Sequence, residues 1–166
     1  VIWSNTVVKQ NDKIIIQDRF KYYYQYEEPK IKFNWNLLEG SKKILNYECK
    51  KATVEFAGRI YTAWYTNDIP ISDGPYKFEG LPGLIMEISD SKNEFSFLAI
   101  GIGKTPLSIY LRNDDKIFNI SKEKFKTVQM SYLENPDFFH GTAMNPDGTQ
   151  LFVNTRKVDY NIIELE

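Results

Sequence analysis

Phe78-Glu79-Gly80-Leu81-Pro82-Gly83-Leu84-Ile85-Met86-Glu87-Ile88 places two glycines and a proline within four residues, directly before an apolar run of strand character. Gly74-Pro75 repeats the pairing a few residues upstream. Proline locks its own φ, and glycine opens conformations and close backbone approaches that a Cβ forbids. The connection from Thr66 to Leu84 is therefore expected to be an ordered excursion that leaves one strand and enters the next in a fixed register. Strict alternation predicts Leu84, Met86 and Ile88 on one face and Ile85, Glu87 and Ser89 on the other. A slip of one residue would reverse both sets.

Two roles fit so rigid a path. It serves register alone, or it forms one wall of a groove faced by Trp64, Tyr65, Tyr76, Phe78 and Leu81, suited to an acyl chain or an apolar peptide.

The surrounding segments read as sheet. Ala52 to Phe56 alternates, Ala57-Gly58 supplies a tight turn, and Arg59 to Thr66 returns, predicting an antiparallel hairpin. Leu84 to Ser89 and Phe95 to Gly101 predict a second hairpin around Asp90 to Asn93, and Leu107 to Arg112 with Lys116 to Ile120 a third. Lys13 to Ile16 and Phe20 to Tyr26 also read as strands, the latter with rings on both faces, so that two layers cover it or one face binds something. Ser121 as N-cap, Glu123 in the first turn and Phe125, Val128 and Tyr132 at helical spacing predict one helix ending at Asn135-Pro136. Leu151 to Val153 and Tyr160 to Leu165 read as closing strands.

Scarce alanine and an aromatic content of 15% agree with a β class, and 166 residues without a linker or repeat predict one domain spanning 1–166. The expected fold is mainly β (α+β), a single curved antiparallel sheet or open barrel with one helix packed across it. Residues 61–100 carry two Lys/Arg against six Asp/Glu, so the motif-dense part lacks the basic surface that phosphate contacts need, and nucleic acid is not an expected partner. No apolar run approaches the ~18 residues that span a bilayer.

Little catalytic chemistry is legible. His140 is the single histidine and Cys49 the single cysteine, so no site with two histidine ligands and no cysteine pair for zinc exists. Asp137, His140 and Asp147 form an oxygen-rich loop, but Asn145-Pro146-Asp147-Gly148 reads as a turn; no metal or cofactor is expected. A Cys49–His140 thiol mechanism would need the two to meet. Arg59 pairs with Glu55 or Asp73, or anchors an anionic head group at the mouth of the groove.

Gly80 to Ile85 spells GLPGLI, and with Tyr47, Cys49, Lys51-Ala52, Gly58-Arg59, Tyr61, Ala63-Trp64, Ile69-Pro70, Gly74-Pro75 and Phe78 the stretch 47–90 closely resembles the GLPGLI family of Bacteroidota. The closing Asn161 to Leu165 is similar to that family's end, with Ile162 where proline is common. Members usually carry a secretion signal. The resemblance thus implies an exported protein of the periplasm or envelope, and makes the start at Val1, with no methionine before Met86, look like a matured terminus; another choice of chain start explains it equally. No family activity is established.

The expected function is a non-catalytic binding protein for a hydrophobic ligand, lipid or peptide, or one that docks on an outer-membrane protein. The rivals are an assembly subunit of an outer-membrane complex and, third, an enzyme. The candidate binding residues are Arg59, Trp64, Tyr65, Gly74, Pro75, Tyr76, Phe78, Gly80, Leu81, Pro82, Gly83, Leu84 and Ile85.

Overall fold

Tight turns organise the strands. A computed structural model of the chain describes residues 5–107, 111–113, 115–134 and 164. Ala57 and Gly58 both take positive φ, 48° and 75°, the backbone that a two-residue hairpin turn demands. They join β5 (Tyr47–Phe56) to β6 (Arg59–Thr66) as expected. Leu45 and Asn46, at 47° and 69°, make an equivalent turn between β4 (Asn36–Ile44) and β5, which the sequence reading did not anticipate. β7 (Leu84–Asp90) and β8 (Ser96–Leu98) form the second hairpin.

The described residues fall into two units, one within 5–30 and 111–134, the other within 31–107 together with Glu164. The second unit holds a five-stranded antiparallel sheet of order β4-β5-β6-β7-β8. Its core covers one face: Ala52, Val54, Tyr61, Ala63, Tyr65, Ile85 and Ile88 from the strands meet Phe78, Leu81 and Phe95.

The first unit holds β1 (Thr6–Lys9), β2 (Lys13–Phe20), β3 (Tyr22–Pro29) and β9 (Ile117–Asn119) in that order. Helix α1 (Lys122–Glu134) packs across this sheet: the Phe125 ring stands 4.7 Å from Tyr26 and 5.5 Å from Phe20. Ser121 caps it, its Oγ accepting the Lys124 N–H at 3.3 Å. The mainly β class with one helix across a sheet is as expected.

Three particulars differ. The strands form two sheets instead of one curved sheet, and neither closes into a barrel among the described residues. The ladder breaks after Pro29, and the far edge of β3 is taken by β9, so β4 begins a new sheet. β9 pairs with β3 in parallel where an antiparallel sheet was expected, with Phe118 stacked on Tyr24 at 5.5 Å and Asn119 accepting from Gln25 at 3.0 Å; the partner segment expected for it at 107–112 lies outside the described residues at 108–110.

Third, the predicted alternation along β7 fails. Trp64 faces Glu87 but Tyr65 faces Ile85, which leaves Met86 as an extra residue. The bulge puts Ile85 and Ile88 together in the large core, while Leu84 and Met86 join Ile44, Cys49 and Trp64 in a separate cluster. The expected strands at 151–153 and 160–165, and the loop with Asp137, His140 and Asp147, lie outside the described residues apart from Glu164.

Candidate functional site

The excursion between β6 and β7 is pinned by its own backbone. Leu84 N–H donates to the Ile69 carbonyl at 3.0 Å and Ile85 N–H to the Asp73 carbonyl at 2.9 Å. Phe78 N–H closes a turn on the Pro75 carbonyl at 3.2 Å, and Gly80 N–H reaches Ser72 Oγ at 3.1 Å. Trp35 Nε1 donates to the Glu79 carbonyl at 2.9 Å. Such bonds make the path rigid, as its prolines and glycines foretold.

The glycines mark where that path touches its neighbours. A Cβ on Gly83 would lie 2.0 Å from the Thr66 carbonyl oxygen, and one on Gly74 would lie 2.8 Å from the Ile85 side chain. Gly80 takes φ +97°, a conformation that side chains disfavour, beside the Trp35 indole. Pro75 accepts the turn bond, and Pro82 is exposed.

The aromatic residues do not line an open wall. Phe78 and Leu81 are buried in the core, where the Phe78 ring lies 4.8 Å from Tyr61 and 5.4 Å from both Phe33 and Phe56. Tyr65 is buried beside them. Trp64, one residue earlier on the strand, points to the opposite face, between the ammonium groups of Lys42 and Lys51 at 5.7 and 5.9 Å. Trp64, Tyr65, Tyr76, Phe78 and Leu81 thus do not share one open wall: alternation separates the first two, Phe78 and Leu81 are enclosed in the core, and Tyr76 is half-buried against it.

Arg59 is also placed differently from both expectations. Its guanidinium is buried, bonds Asp90 at 3.2 Å and Glu94, and lies 4.9 Å from the Phe95 ring centroid. Its acids are Asp90 and Glu94, which the β7–β8 turn brings to the start of β6. Beside it, burial pushes the Tyr61 phenol up to about 12, against the lowering effect of Arg59. A guanidinium so engaged and enclosed serves the core.

Cys49 is buried, and desolvation pushes its thiol above the ordinary range, the opposite of an activated nucleophile. His140 lies outside the described residues. Among the described residues, no group of three or more His, Cys, Asp or Glu side chains is gathered as metal ligands.

Two features escaped the sequence reading. Lys77 is fully buried and pairs with Glu164; the one local signal was a charge set between the rings of Tyr76 and Phe78. Second, all residues from 100 to 107 are exposed, directly after the edge strand β8, with Ile100 at 90% and Leu107 at 77%. Ile-Gly-Ile-Gly at 100–103 was the available signal.

Residues 57–87, from the Ala57 turn through the Pro/Gly excursion into β7, match the model of a Bacteroidota-associated family described as "Protein of unknown function (Porph_ging)". No curated protein matches the chain. Two solved structures are similar in fold, those of PNGF-II in the C2 and P21 space groups. They superpose with TM-scores of 0.56 and 0.57 at 21% identity, covering 75% and 74% of this chain. The chain spans 24% of the length of PNGF-II, so the likeness concerns about a quarter of that protein.

Proposed function

We propose that this chain is an exported docking module of the GLPGLI type, without catalytic chemistry of its own, that binds an extended segment of a partner polypeptide in the cell envelope. The observation that carries this reading is the exposed apolar stretch with Leu98, Ile100, Ile102 and Leu107, continuous with β8, which is an edge strand among the described residues. An edge strand offers unpaired N–H and C=O groups to a further strand, and alternate apolar side chains beside it give that strand something to bury. A polypeptide supplies both, whereas a lipid has no backbone to pair.

The uninterrupted Gly80 to Ile85 hexapeptide and the family match at 57–87 support the family assignment and, through it, the exported location. The likeness to a quarter of PNGF-II supports the idea of a module used alongside other parts of a polypeptide.

The test is native mass spectrometry of the protein purified from its own envelope, beside an Ile100→Asp/Ile102→Asp variant. A polypeptide held by the wild type and lost from the variant, with circular dichroism unchanged, is the expected result. A small apolar adduct retained by both would overturn the docking reading in favour of a carrier.

A further inference from the structure

Lys77 has no solvent-accessible surface, yet it carries an ammonium group. Its Nζ donates to Glu164 Oε1, and the Tyr76 hydroxyl donates to that same oxygen at 2.6 Å. The Glu164 carboxylate is itself 93% buried, being 7% exposed, and comes from 87 residues further along the chain. The Lys77 ammonium also lies 5.2 Å from the Tyr76 ring centroid.

The two donors are placed by the loop. Tyr76 takes φ 54°, an uncommon conformation for an aromatic residue, inside the turn closed by Phe78 N–H on the Pro75 carbonyl. The Phe78 ring fixes the far end of this turn among Phe33, Phe56 and Tyr61. Strain at Tyr76 is thus held by core packing on one side, and its product is a hydroxyl and an ammonium converging on one point.

We propose that Tyr76 and Lys77 form a carboxylate-binding niche, and that its resident ligand is the chain's own Glu164, an intramolecular ligand of the Pro/Gly loop. The chemistry is that of a charge-assisted pair, one cationic and one neutral donor on a single carboxylate oxygen, in surroundings that exclude water. A buried cation deprived of its acid is strongly destabilised, so the niche takes another small carboxylate when Glu164 is removed. This inference stands apart from the docking surface at β8.

The experiment is chemical rescue of the full chain. Glu164→Ala removes the acid and leaves room for a small one; acetylation of Lys77 by acetic anhydride is then followed by mass spectrometry. Lys77 is expected to react at least about tenfold faster than in the wild type. Excess sodium acetate or propionate should restore protection, and sodium chloride at equal ionic strength should not. Glu164→Gln, which fills the niche without a charge, should show raised reactivity that acetate leaves unchanged. Rescue by chloride as effective as by acetate, or unchanged Lys77 reactivity in Glu164→Ala, overturns the proposal. If Glu164→Ala folds only when acetate is present, the niche is supported. If it folds in neither salt, Glu164→Gln and Tyr76→Phe decide: raised Lys77 acetylation in both supports the niche, and wild-type rates in either overturn it.

Discussion

Gly83 shows how one missing methyl group sets a connection. Its α-carbon passes so near Thr66 that a Cβ would sit 2.0 Å from a carbonyl oxygen, an obstacle that cannot rotate away. Gly83→Ala must therefore move backbone at the entry to β7, and we expect a cost above about 3 kcal/mol, read as a lower urea midpoint with unchanged slope. Tyr61 makes a second prediction at this scale. The phenol ionises at 10.0 when unperturbed and at about 12 in the fold, so the folded state holds the proton more tightly. The resulting stability is complete below pH 10 and is lost as pH rises through about 12. Tyr61→Phe should flatten that alkaline fall, measured as unfolding free energy against pH. Of these, the glycine's importance was legible from its neighbours Pro82 and Gly80; the shifted phenol was not, since its burial depends on Phe78 arriving from the loop.

At the scale of elements, local rules served where partners are sequence neighbours. The Ala57-Gly58 turn, the β7–β8 hairpin and the helix capped by Ser121 follow from residues a few positions apart. Ser121→Ala should cost about 1 kcal/mol by loss of the cap, checked by thermal unfolding followed at a helix-sensitive wavelength. The bulge at Met86 had no such local mark. Leu84, Met86 and Ile88 alternate perfectly in sequence, and only the offset between Trp64–Glu87 and Tyr65–Ile85 shows that the phase changes between them. Two apolar clusters, one on each side of the sheet, compete for β7, and an inserted residue satisfies both.

For the whole molecule, the chain is interleaved: unit membership passes from the first unit to the second, back, and returns to the second at Glu164. Within the second unit, β5, β6 and β7 are interior strands carrying Ala52, Ala63 and Ile88, all fully buried, whereas β4 is an almost wholly exposed edge. Native-state hydrogen exchange should accordingly be slowest at the paired amides of β5, β6 and β7 and faster in β4 and β8. Equal protection across the five strands would contradict this division between centre and edge.

The sequence by itself determined the β class, the β5–β6 and β7–β8 hairpins and the helix, and the ordered Pro/Gly path. Alternation, turn chemistry and capping act over a few bonds and can be read in order along the chain. Tertiary structure decided the rest: the split into two sheets, the parallel partner of β9, the burial of Phe78 and Leu81 in place of a groove, and the acids that face Arg59 and Lys77. Each of these turns on which distant segment comes to lie alongside. That choice is made by competition for buried surface and for neutralised charge, quantities that no short window of sequence contains.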